Sequence, residues 1–106
     1  MSRGNYMSLD PVAAMNGVGS DMNAQELRQV VYSARCGAAR RIALAYLDNQ
    51  AMFAIFARED PDPMVRRGCC RHLADADTLR DICDRDGDRS VREAAQWALD
   101  RLIKRP

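Results

Sequence analysis

From Asn23 onward the apolar residues fall three and four positions apart, and the groups they form return every 26 positions. Leu27, Val30 and Val31 are followed by Phe53, Phe56 and Ala57, and then by Leu79, Ile82 and Cys83. Offsets of three and four place each trio on one face of a helix. A second family of columns interleaves with the first: Ala39, Val65 and Val91; Ile42, Gly68 and Ala94; Ala43, Cys69 and Ala95; Leu47, Leu73 and Leu99. These predict a second helix in each unit, over about 37–47, 63–73 and 89–103, with small central residues that let helices approach closely.

The polar residues keep the same period. Asn23, Asn49 and Asp75 each precede a first helix, where a side-chain oxygen can accept from the unpaired N–H groups of the opening turn. Asn23 followed by Glu26 has the spacing of a capping box. The turn between helices reads Asp60-Pro61-Asp62-Pro63 in the second unit and Asp86-Gly87-Asp88 in the third. Pro63 suits a first helical position behind Asp62 as cap, since a missing N–H costs nothing there. The stretch 60–73 returns at 86–99, with Asp60, Asp62, Val65, Arg66 and Leu73 matched by Asp86, Asp88, Val91, Arg92 and Leu99. The first unit keeps the arginine as Arg40 but has Ala34 and Cys36 in place of the acids.

The expected fold is therefore all-α, a short α-solenoid of three stacked helix pairs with about 26 residues per repeat. The repeats run over about 23–48, 49–74 and 75–103 within a domain spanning 23–106. Residues 1–22, rich in Gly, Asn and Ser without a sustained period, read as a flexible N-terminal tail; the run from Pro11 to Met15 could add one helical turn over the first repeat.

An Asp-x-x-Val-Arg step followed by a small-residue helix ending in Leu resembles the HEAT-like repeats, including the short ones of phycobilin-lyase accessory proteins. It is also similar to the leucine-rich variant repeats of bacterial proteins. The resemblance covers residues 23–103 and implies a shared scaffold more than a shared activity. It departs from ordinary HEAT and armadillo units in its period, which is shorter than their roughly 40 to 47 residues. A leucine-rich variant would make one helix of each pair a 3₁₀ segment. For the Val-Arg position the HEAT-like families imply a structural ladder. Here it would join Arg66 and Arg92 to Asp62 and Asp88, or to the acids of a neighbouring repeat.

Composition narrows the function classes. With 106 residues, 47% hydrophobic and 29% charged, the chain suits one small globular domain and not a disordered one. A formal net charge of +1 argues against a purely electrostatic nucleic-acid binder. No stretch reaches the roughly 18 apolar residues of a membrane span, and the N-terminus lacks a signal peptide's apolar core, so no membrane association and a cytoplasmic location are expected. The four cysteines sit within helical patterns, as reduced thiols packed like small hydrophobes would.

Reactive constellations are scarce. Cys69 and Cys70 are adjacent and diverge by about 100° on a helix, poorly placed to share a metal. The acidic run around Asp84, Asp86 and Asp88 has Ala95 at the twelfth position, where a calcium loop needs a bidentate Glu. His72, the one histidine, reads as a partly exposed structural residue. No catalytic residue, metal or cofactor is expected.

The expected role is a non-enzymatic protein-interaction or scaffold module with a protein partner, the candidate contact residues being Arg40, Arg41, Arg67, Arg71 and Trp97. Self-association through the terminal repeats is also expected, because three units are close to the minimum for a stable stack. Second readings are a nucleic-acid-binding module using the arginine-rich face, interrupted at Glu93, and an accessory subunit of a lyase-type enzyme.

Overall fold

The computed structural model of the chain describes residues 5–104. Seven α-helices account for the secondary structure of those residues, with no strand among them. No described helix is long and apolar enough to cross a membrane. The chain divides into two compact units, Met1–Asp48 and Asn49–Pro106.

In the first unit α2 (Ala24–Ser33) and α3 (Gly37–Leu47) form an antiparallel pair, and α1 (Pro11–Asn16) packs on α3. Asn23 caps α2 through the expected reciprocal bonds. Its Oδ1 accepts from the Glu26 N–H at 2.8 Å, and Glu26 Oε1 accepts from the Asn23 N–H at 3.1 Å. Leu27, Val30 and Val31 of α2 bury against Ala39, Ala43 and Leu44 of α3. The helix ends at Asp48 in the left-handed region, φ 48°, a conformation that Asp tolerates better than most residues.

Residues 5–22 are thus not the free tail expected from their composition. Asp10 caps α1, Pro11 supplies its first residue, and Ala14, Gly17 and Val18 are buried. A short apolar run with a good cap is enough once a neighbouring helix offers it a surface, which periodicity over six residues cannot reveal. The first four residues of the expected tail lie outside the described residues.

The second unit holds two helix pairs, α4 (Gln50–Glu59) with α5 (Pro63–His72) and α6 (Ala76–Arg85) with α7 (Arg89–Ile103). The pairs lie side by side, α5 broadly against α7 and α4 lightly against α6. Asn49, Asp62, Asp75 and Asp88 cap the four helices through their side chains. Phe53, Val65, Cys69, Cys70, Leu79, Val91 and Ala95 form the fully buried centre. Every described helix is α, so neither member of a pair is the 3₁₀ segment that a leucine-rich variant would have.

Gln50 ties the first pair together. Its Nε2 donates to the His72 carbonyl at 2.7 Å while its Oε1 accepts from the Ala74 N–H at 2.9 Å, so one side-chain amide closes the C-terminal end of α5.

Candidate interaction surface

The geometry that the three helix pairs share begins with an arginine. In each pair the guanidinium of the second helix turns back to the carbonyl that ends the first: Arg40 Nη1 to Ala34 O at 2.9 Å, Arg66 Nη1 to Asp60 O at 2.8 Å, and Arg92 Nη1 to Asp86 O at 2.7 Å. A cation set at a helix C-terminus satisfies an orphan carbonyl and opposes the helix dipole. Arg66 also donates through Nε and Nη2 to Asp86 Oδ2 and Oδ1 at 2.9 and 3.2 Å, a bidentate pair joining the two helix pairs of the second unit.

Of the two expected arrangements, Arg66 takes the one that reaches an acid of the neighbouring repeat, Asp86. Asp62 and Asp88 do not receive the arginines; Oδ1 of each accepts from the N–H groups at the starts of α5 and α7. The positions before them carry the structural acids. Asp86 accepts from Arg66 and from the Asp88 N–H, and the buried Asp60 accepts from the Asp62 N–H. The repeated Asp-x-Asp spelled out both acids. An N-cap must point at its own helix, which leaves only the first Asp free to face a neighbouring pair.

The cap carboxyls at Asp75 and Asp88 are held below the usual carboxylate range. The Thr78 hydroxyl is the largest cause at Asp75, and the Ser90 hydroxyl at Asp88, each reinforced by backbone N–H groups. Burial pushes the Cys69 and Cys70 thiols up to about 12, and nearby negative groups add to the effect. A thiol held protonated is neither a nucleophile nor a metal ligand. Among the described residues no three His, Cys, Asp or Glu side chains are grouped to hold a metal ion. The His72 ring stacks on Phe53, centroids 5.1 Å apart and planes inclined by 16°.

A different set of side chains lies open. Arg67 and Arg71 are one turn apart on α5, and Ser90, Glu93, Ala94 and Trp97 follow at helical spacing on the facing side of α7. Together they line a groove of about 380 Å³. A smaller hollow of about 160 Å³ lies at the C-terminal end of α5 beside the last turns of α7; it shares Arg71 with the groove and adds Arg101. Trp97 in the larger groove is half exposed, with Arg71 Cζ 5.9 Å and Arg101 Cζ 4.7 Å from its ring centroid. Both guanidiniums are within cation–π range.

Among the described residues no carboxylate lies within 4 Å of Arg67, Arg71 or Arg101. Glu93 at the rim is engaged by Arg89 Nε at 2.9 Å, and Asp100 accepts from Gln96 at 2.8 Å. Of the five contact residues expected from sequence, Arg67, Arg71 and Trp97 come together here. Arg40 and Arg41 belong to α3 in the first unit, with Arg40 turned to its carbonyl. Arg101 was not singled out from sequence. Its signal was four-residue spacing from Trp97, which puts it on the same helical face.

No protein-family model, curated protein or solved structure matches the chain.

Proposed function

We propose that the chain is a non-enzymatic protein-interaction module, a short HEAT-like α-solenoid of three helix pairs that presents the α5–α7 groove to a protein partner in the cytoplasm. The observation that carries the reading is Trp97, half exposed in a groove whose two arginines, like Arg101 beside it, have no carboxylate partner among the described residues. Trp and Arg are the side chains that most often anchor protein interfaces, and an indole already flanked by guanidiniums loses little further freedom on binding. The repeat reading is supported by the three arginine-to-carbonyl bonds at equivalent places and by the Arg66–Asp86 tie between pairs. The cysteines are all free thiols, in keeping with a reducing compartment.

Affinity capture tests the reading, using the full chain and the Arg71→Gln/Trp97→Ala double variant as baits in nuclease-treated extract of the producing cells. A protein retained by the wild type and lost from the variant is the expected result. The same proteins on both baits, or binding that vanishes with nuclease, would contradict it.

A further inference from the structure

We infer that the α5–α7 groove takes an acidic peptide segment, whose carboxylates grip the guanidinium edges of Arg67, Arg71 and Arg101 while its backbone covers Trp97; this rests on the protein-interaction reading above. Charge complementarity is the first ground. Three guanidiniums converge on one groove and the hollow beside it, and the acids nearest along α7, Glu93 and Asp100, are already engaged by Arg89 and Gln96. An acidic ligand therefore meets net positive charge there, although the chain as a whole carries only +1.

Guanidinium geometry is the second ground. A guanidinium held near an indole ring by a cation–π contact keeps its N–H donors, and such a fork can bind a carboxylate through two parallel bonds. The same unit shows the arrangement completed: Arg66 offers Nε and Nη2 to the two oxygens of Asp86. Arg71 and Arg101 have the same donors without the acid.

A nucleic-acid backbone fits less well. It needs a run of available cations along its track, and the arginines that would extend one within the second unit, Arg66 and Arg92, are turned to Asp86 and to helix-end carbonyls. Arg67 and Arg71 line the groove and Arg101 the hollow beside it, a cluster and not a continuous track.

Trp97 is the chain's single tryptophan and so reports on its own site. The full chain is titrated with a short Asp/Glu-rich peptide, with its Asn/Gln counterpart and with oligo-dT of matching length, and indole emission is followed. The expected result is a saturable change with the acidic peptide alone. Its dissociation constant should rise about tenfold in Arg71→Gln and in Arg101→Gln, as loss of a charge-assisted pair implies, and stay unchanged in Arg80→Gln. Arg80 is an exposed arginine on α6 paired with Asp77. Melting curves confirm that each variant is folded, and anisotropy of a labelled peptide with Trp97→Phe provides a readout independent of the indole.

No response to the acidic peptide, an equal response to the neutral one, preference for oligo-dT, or equal weakening by Arg80→Gln would overturn the inference. If the peptide fails while capture of a partner still depends on Arg71 and Trp97, only the acidic chemistry falls. Loss of both results removes the surface itself.

Discussion

Arg66 donates to three oxygens, two on Asp86 and one on the Asp60 carbonyl, whereas Arg92 in the equivalent place donates to the Asp86 carbonyl alone. The Arg66 pair is largely shielded, with 17% and 6% of the two side chains exposed, so truncating one partner leaves a poorly solvated charge behind. Arg66→Gln should therefore cost about 3 kcal/mol in urea unfolding. Arg92→Gln loses one charge-assisted bond and should cost about 1–2 kcal/mol. Equal losses in the two variants would show that the Asp86 carboxylate contributes nothing beyond the carbonyl.

The cap carboxyls supply a pH dependence with a definite sign. Asp75 and Asp88 have folded-state pKa values below their unfolded ones, so their contribution is fully present above the ordinary carboxylate value of about 3.9. It declines as pH falls below that value and is gone once pH passes the depressed folded value. Replacing the hydroxyl donors, in Thr78→Ala/Ser90→Ala, should make stability fall less steeply between pH 4 and the acid limit. Urea denaturation over that range checks it, an unchanged slope being the contrary result.

At the scale of helices, caps decide where each element begins. Asn23→Ala removes the side-chain arm of the capping box, leaving only the Glu26 bond to the backbone N–H, and should destabilise the first unit by about 1 kcal/mol, read from amide exchange in α2 against α6. The caps at Asn23, Asn49, Asp62, Asp75 and Asp88 were legible because the period carried them from one unit to the next. So were the buried columns Ala39/Val65/Val91 and Ala43/Cys69/Ala95. Cys70 was not: its counterpart Gln96 is polar and exposed, which breaks the column. Cys70 lies near Asp86 and Cys83 of the following pair, and no described helix follows α7 to cover Gln96 in the same way. Gly68 and Ile42, expected inward, are half exposed. α1 was only partly legible, as a single turn, because six residues hold too few apolar positions to set a period. Within the candidate site, the spacing of Arg67 and Arg71 was readable. Their freedom from carboxylates was not, since it depends on Glu93 and Asp100 turning to other partners on α7.

For the molecule as a whole, the thiols and the proposed recognition surface fall in separate layers. The buried layer of the second unit holds Cys69 and Cys70 as protonated thiols, while Cys36 in the first unit and Cys83 in the second are half exposed. A disulfide reagent at mild alkaline pH should label Cys36 first and Cys83 more slowly, because burial raises the Cys83 pKa. Cys69 and Cys70 should react only at the rate of unfolding; prompt labelling of either would mean that the α5 core opens freely. The proposed recognition surface lies in the outer layer, where α5 faces α7. Its most direct test is a ¹H–¹⁵N spectrum that includes arginine Nε and indole signals, recorded as the captured partner is added to the labelled full chain. The account predicts shifts at the Trp97 indole and at Arg67, Arg71 and Arg101, with Arg40, Arg66 and Arg92 unmoved. Shifts confined to the ladder arginines or to the first unit, with Trp97 still, would contradict it.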